Sequence, residues 1–347
     1  MRNLFPTLGR LRLTVQIAML ILTVWGANLV GYYMAEKLSG HLPALSCAYD
    51  KQTGGYCELI SLQHVIHHRV GETLAKAGAV TLQALLPLAF SLLTFFAFFV
   101  LLNKAFCGWI CPLGTVQELL NRLGRRLNLP LQRLEPGNVG KVRPVKWLLL
   151  LTLVLVLPLL TGLGVTPHGL GNPYCDVCPS RIVTTLLSGD TEQLAMNVGG
   201  TLEFTLGAIA NTLVGFILVA AFAVRQPFCR ICPMLSLNAT FQRLGLLRLV
   251  KKQNDKCDKC GVCAKACPMD IVEIAREHGT KAFHEDCTLC GRCAEFCPDD
   301  QVIQLKFGPI PLFSSSRDYY KQRIRLESPE GMAKSATRAA REQADHA

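Results

Sequence analysis

Charge is scarce in this chain of 347 residues: Asp, Glu, Lys and Arg make up 18%, against about 25% in soluble globular proteins. Half of the residues are hydrophobic. That balance excludes a disordered chain and argues against a purely soluble one. Acids are scarcer than bases, 25 against 36, for a net charge of +11. The bases collect beside apolar runs instead of spreading over one face, so they read as membrane topology and no nucleic-acid partner is expected. Neither G-x-G-x-x-G nor G-x-x-x-x-G-K-[ST] occurs, which leaves nucleotide and flavin chemistry without support. No C-x-x-C-H offers a haem attachment point. The 16 cysteines are too thinly spread for a disulfide scaffold.

Apolar runs long enough to cross a hydrocarbon layer lie at residues 13–33, 80–102, 147–165 and 201–224. The first is longer than the core of a signal peptide and is expected to remain as an anchor. Eight bases separate the second and third runs, from Lys104 to Lys146, and seven follow the fourth, from Arg225 to Lys256. The loop between the third and fourth carries one, Arg181. This asymmetry is expected to put both termini of a multi-pass protein in the cytoplasm. The expected fold is mainly α: a four-helix transmembrane bundle over residues 1–250, an α+β two-cluster ferredoxin-like domain over 251–307, and a polar tail over 308–347, with one helix around 331–344.

Eight cysteines form two matching runs. Cys257, Cys260, Cys263 and Cys267 precede Pro268; Cys287, Cys290, Cys293 and Cys297 precede Pro298. This repeated C-x2-C-x2-C-x3-C-P spacing is that of bacterial two-cluster ferredoxins, in which the fourth cysteine of each run ligates the other cluster. One [4Fe-4S] cluster is therefore expected on Cys257, Cys260, Cys263 and Cys297, the other on Cys287, Cys290, Cys293 and Cys267. Zinc also takes C-x2-C pairs but does not explain two such runs each ending in Cys-Pro. Gly261 and Gly291 are expected to let backbone approach the sulfurs.

The other eight cysteines pair along the membrane region. Cys107/Cys111-Pro112 and Cys229/Cys232-Pro233 end the second and fourth apolar runs on the same side, suiting a third cluster or other redox metal, with free thiols or zinc half-sites as the plainer reading. Cys47, Cys57, Cys175 and Cys178 fall in the two opposite-side loops, where a fourth cluster and disulfides are both open.

Together the Phe106–Pro112 motif, the basic stretch after it, the second Cys-Pro pair and the ferredoxin repeat resemble the NapH-type membrane ferredoxins. These quinol dehydrogenase components of periplasmic nitrate reduction are akin to the iron–sulfur regions of NosR proteins and to methylamine-utilisation ferredoxins. The resemblance implies quinol oxidation at the membrane quinone pool and electron delivery to a respiratory redox partner, ferredoxin-like or a cytochrome subunit. Cys229-x2-Cys232 is one residue shorter than the family's usual C-x3-C-P, and Cys47, Cys57, Cys175 and Cys178 lie outside its pattern.

Quinol oxidation needs proton acceptors beside an electron acceptor. His64 and His68, one turn apart with His67 and Glu72 nearby, and His168 and Glu203 near the ends of the third and fourth runs are the candidates. Incidental interfacial histidines are the plainer reading. Two further readings of the whole chain compete with quinol oxidation: a maturation factor that reduces a metal or thiol in a partner oxidase, and an electron-transfer anchor with no substrate site.

Overall fold

The structure, a computed structural model, describes residues 7–30, 49–50, 54–55, 58–78, 82–130, 132–189, 200–252, 257 and 259–327. The chain divides into two compact units, one of residues 13–246 with Glu285–Cys290, the other of Met1–Arg12, Leu247–His284 and Gly291–Ala347.

The first unit is helical. Leu8–Trp25, Gly137–Gly162 and Thr201–Ala223 are each long and apolar enough to cross a membrane. Leu82–Leu102 is a fourth long helix, 21 residues without a charge. Between these run shorter helices, and their starts follow one rule. Pro112–Arg126, Pro179–Leu187 and Pro233–Thr240 each begin with proline at the first turn, directly after Cys111, Cys178 or Cys232. Proline bars its predecessor from helical backbone and is itself preformed for the first turn. The three cysteines accordingly share one conformation, with φ/ψ of −53/119, −71/117 and −68/122.

Described residues between the long helices are drawn into the core. Leu59, Tyr174, Ile182 and Val183 join one buried core with Val154, Val214 and Ile217 of the long helices. After Gly162 the chain turns through Gly164 in left-handed backbone and re-enters through Pro173–Asp176 and Pro179–Leu187. Close backbone packing holds these pieces. A Cβ on Gly162 would stand 2.3 Å from the carbonyl oxygen of His67, and one on Gly124 would stand 2.2 Å from that of Phe222. Backbone cannot give way as a flexible side chain can, so Gly124→Leu is expected to cost about 1–3 kcal/mol. Thermal unfolding followed by intrinsic fluorescence checks this. A loss within about 0.5 kcal/mol, as for an open surface site, would mean the helices do not pack at Gly124.

The second unit carries an antiparallel three-stranded sheet of Leu247–Lys251, Ile303–Phe307 and Ile310–Ser314 in that order. Short helices Val262–Ala266, Glu273–Arg276 and Arg292–Glu295 connect it to the cysteine loops. The expected tail from Gly308 is here corrected. A tight turn at Gly308 (φ 56°) leads into the edge strand Ile310–Ser314, and a helix follows at Arg317–Glu327. Buried Ser315 explains why this polar stretch is ordered: its hydroxyl accepts from the Val302 and Ile303 amides and donates to the Asp299 carbonyl. The expected helix at 331–344 lies outside the described residues.

Candidate metal centre

In the second unit, Cys257, Cys260, Cys263 and Cys297 line one small pocket of ≈ 280 Å³. The fourth cysteine of the second run thus meets the first three of the first run, as the ferredoxin spacing predicts. Lys259 and Gly261 turn the loop through left-handed backbone (φ 52° and 71°), and Leu289 and Gly291 repeat this at 51° and 74°. A Cβ on Gly261 would meet nothing within 4 Å, so glycine serves backbone conformation there and not approach to sulfur. Burial raises the Cys263 thiol and pushes Cys297 up to about 11. The ammonium of fully buried Lys251, held by the Ile274 carbonyl at 2.8 Å, offsets this near Cys263. Of the other predicted set, Cys267 and Cys293 belong to this unit and Cys287 and Cys290 to the first.

In the first unit, one apolar cavity of ≈ 800 Å³, counted to its mouth, is lined by Cys107, Cys111, Cys175, Cys178, Cys229 and Cys232. Two different turns bring the first cysteine of each pair to it. Phe106–Ile110 is a π-helical turn and takes the extra residue of Cys107-x3-Cys111, whereas Phe228–Arg230 is a tight 3₁₀ turn for Cys229-x2-Cys232. The shorter second motif is therefore a local winding difference leading to the same Cys-Pro geometry.

The expectation that Cys175 and Cys178 sit far from the other pairs is overturned, because the re-entrant segment carries them inward. The Tyr174 hydroxyl lies 4.0 Å from Cys232 Sγ and 3.9 Å from Cys178 Sγ. No disulfide joins any of the described cysteines, Cys175 and Cys178 among them. Cys47 and Cys57 lie outside the described residues.

Amide side chains reach the sulfurs. Gln117 Nε2 donates to Cys229 Sγ (3.8 Å), Asn238 Nδ2 to Cys107 Sγ (3.6 Å) and Gln63 Nε2 to Cys175 Sγ (3.0 Å). Burial pushes Cys107 up to about 12 and raises Cys229 and Cys232 further, with neighbouring thiols adding to each shift. Four such sulfurs as bare thiolates would repel one another in an apolar hole. A cationic iron–sulfur core removes that conflict, and the N-terminal ends of the Pro112 and Pro233 helices and the amide donors favour the residual negative charge. This donor set fits a [4Fe-4S] cluster on Cys107, Cys111, Cys229 and Cys232.

The Glu285–Cys290 segment packs against the same helices. Its Thr288 lines the cavity, and its Leu289 carbonyl accepts from Trp109 Nε1 at 3.0 Å. Lys104, buried beside both Cys107 and Cys287, donates to Gln242 Oε1 at 2.5 Å and to the Glu285 carbonyl. Burial brings its ammonium down to about 8, and the two thiols counter that shift. Lys104, Gln63, Gln117, Asn238 and Tyr174 were not singled out as site residues from the sequence. One signal was available: an amide stands six residues after Cys57, Cys111 and Cys232.

The predicted histidines are gathered as well. Ring centroids of His68 lie 4.5 Å from His64, 3.9 Å from His67 and 5.8 Å from His168. His68 Nδ1 meets Glu72 Oε1 at 2.6 Å, and Lys76 meets the other oxygen at 2.9 Å. Those two hydrogen bonds, the lysine's first, hold Glu72 down to about 2. Burial and then the His68 charge lower both His64 and His67. Glu203 stands exposed in the first turn of Thr201–Ala223.

Comparison with known proteins meets the same residues. A 4Fe-4S binding domain family matches residues 84–130 and 207–252, and a 4Fe-4S dicluster domain family matches 256–303. Homologues include the ferredoxin-type protein NapH of Escherichia coli, 26% identical over 60% of this chain and 59% of that protein. The regulatory protein NosR of Pseudomonas aeruginosa is 29% identical over 54% and 23%, respectively, and the methylamine utilization ferredoxin-type protein MauN of Methylobacillus flagellatus 26% over 49% and 50%. The matched stretch spans less than two thirds of the length of each of these relatives. No solved structure matches. The chain is thus a relative of iron–sulfur electron-transfer proteins of the membrane.

Proposed function

We propose that the chain oxidises quinol at a membrane and relays the electrons through [4Fe-4S] clusters to a respiratory redox partner. One observation carries this reading: thiols of three Cys-Pro motifs line a single apolar cavity that also receives the segment bearing Cys287 and Cys290. Leu82–Leu102 is the fourth span of the bundle. The base-rich connections support a cytoplasmic side for the Cys107 and Cys229 turns, the dicluster unit and both termini, in a bacterial inner membrane.

The clusters, when bound, supply one-electron acceptance and release. The chain's own residues do the rest. Apolar Leu113, Phe228 and Met234 keep water from the sulfurs, the amides of Gln117 and Asn238 orient them, and buried Lys104 balances charge between Cys107 and Cys287. Quinol must also release two protons. His64, His67, His68 and His168 form an acceptor group in which burial, then neighbouring charge, favours the neutral forms of His64 and His67, with the Glu72 carboxylate against His68 to stabilise an imidazolium when it forms.

Rapid mixing of the anaerobic full chain with a soluble menaquinol analogue tests this. Cluster reduction is expected within the mixing trace, and His68→Gln is expected to slow it by about 10²-fold without altering the dithionite-reduced spectrum. The pH profile has a fixed sign. An acceptor works only when neutral, and because His64 and His67 lie below the ordinary imidazole value of 6.5, the rate should hold as pH falls through 6.5 and decline only below it. Clusters that stay oxidised with excess quinol, or a decline centred at or above 6.5, would defeat the reading.

A further inference from the structure

The Cys175/Cys178 pair, outside the matched family regions, repeats contacts of the Cys229/Cys232 pair inside them. Shifting Gln63, Tyr174, Cys175 and Cys178 by 54 residues gives Gln117, Phe228, Cys229 and Cys232. The contacts shift with them. Gln63 Nε2 reaches Cys175 Sγ while its Oε1 accepts the Tyr174 amide at 3.3 Å; Gln117 Nε2 reaches Cys229 Sγ while its Oε1 accepts the Phe228 amide at 3.1 Å. Both glutamines are wholly buried. Cys178 and Cys232 carry the same backbone angles before the same proline.

We propose that Cys175 and Cys178 ligate a second membrane iron–sulfur cluster, built on this 54-residue repeat, with Gln63 as its positioning residue and Tyr174 between it and the cluster at Cys107, Cys111, Cys229 and Cys232. The inference rests on the electron-relay reading above. A buried amide donor aimed at sulfur suits a metal-bound thiolate, which carries negative charge, better than a disulfide, which carries none.

The arrangement gives a direct order of transfer. His67 lies one turn beyond Gln63, so the histidine group adjoins the Cys175 end. The Tyr174 hydroxyl faces both Cys178 and Cys232, and Lys104 lies beside both Cys107 and Cys287. Cys175 and Cys178 would hold one cluster and Cys107, Cys111, Cys229 and Cys232 the other; when bound, the pair would supply one-electron exchange with no net change in electron count and no proton needed. Cys175 and Cys178 line the same cavity as Cys107, Cys111, Cys229 and Cys232, so clusters held by these thiols would need no second carrier to cross the distance that a pair of opposite-face loops would impose.

Iron and acid-labile sulfide in the anaerobically purified full chain test this, with redox titration followed by electron paramagnetic resonance. Cys178→Ser is expected to lose about four irons per chain, Cys229→Ser about four others, and the double variant about eight. Gln63→Leu should keep its iron and move one midpoint potential downward, because the lost N–H···S bond favoured the reduced, more negative cluster; Gln117→Leu should move a different one. Full iron in Cys178→Ser, a Cys175–Cys178 disulfide in peptide maps of unreduced protein, or a double variant losing no more than either single one would overturn the second cluster. In each of those cases iron loss in Cys229→Ser keeps the relay reading standing, whereas full iron in Cys229→Ser removes the membrane relay itself.

Discussion

Cys232→Ser should leave a chain that folds, retains both dicluster-domain clusters and no longer passes electrons from quinol to them. Four other thiols act on Cys232: Cys107, Cys229, Cys111 and Cys178. Serine fills nearly the same volume, so the core of Leu113, Met234 and Phe228 keeps its packing. Its hydroxyl is a hard donor that stays protonated near neutral pH and does not replace thiolate on iron. Loss of one cluster, about four irons, is therefore expected with little change in helix content. The functional effect is larger than the stoichiometric one, because a relay with a missing centre leaves a gap that tunnelling does not bridge at a useful rate. Quinol-driven reduction of the dicluster domain should fall at least 10²-fold, a barrier change of about 2.7 kcal/mol, while dithionite still reduces those clusters directly. Quinol reduction at the parental rate in Cys232→Ser would show that electrons take another route.

How much of this was legible beforehand depends on range along the chain. The dicluster loops are local, and their spacing alone assigned Cys297 to the pocket of Cys257, Cys260 and Cys263, where the structure places it. The long helices were equally plain, since an uninterrupted apolar run such as Leu82–Leu102 has few alternatives. The Cys175 pair was misplaced for a physical reason. Topology rules treat whatever lies between two spans as water-facing, yet Pro173–Asp176 and Pro179–Leu187 satisfy their backbone hydrogen bonds as short helices and so can sit in a protein core. The sulfur-directed amides escaped notice because Gln63 and Cys175 are 112 residues apart, and only the matching separation of Gln117 and Cys229 makes either pair conspicuous. The order after Gly308 was hidden by composition: Ser314, Ser315 and Ser316 look like linker until Ser315 is seen closing three backbone hydrogen bonds.

Asp286→Ala should be the most destabilising single change in the membrane unit outside the thiols, by about 3 kcal/mol. Lys146 is wholly shielded from solvent, and its ammonium is held by both Asp286 and Glu285, the latter at 2.7 Å. Arg143 Nε meets the second Asp286 oxygen at 2.8 Å. Removing this carboxylate takes away the Asp286 partner of Arg143 and leaves buried Lys146 to Glu285, which is itself partly exposed and already accepts from Trp147 Nε1 at 3.0 Å. An uncompensated buried charge costs far more than a surface pair is worth, and salt does not screen it. The loss should therefore be nearly the same at low and high ionic strength, in contrast to the exposed Glu72–Lys76 pair. Because Cys287 is the next residue, slackening here should also raise the rate at which iron leaves the dicluster domain. Chemical unfolding in detergent followed by Trp fluorescence measures the first effect, and bleaching of the iron–sulfur absorbance under a chelator measures the second. The double variant Lys146→Met/Asp286→Leu separates charge from packing: it removes both buried ions and should recover most of the stability. If it is as unstable as Asp286→Ala, the ion cluster is not what holds Glu285–Cys290 in place.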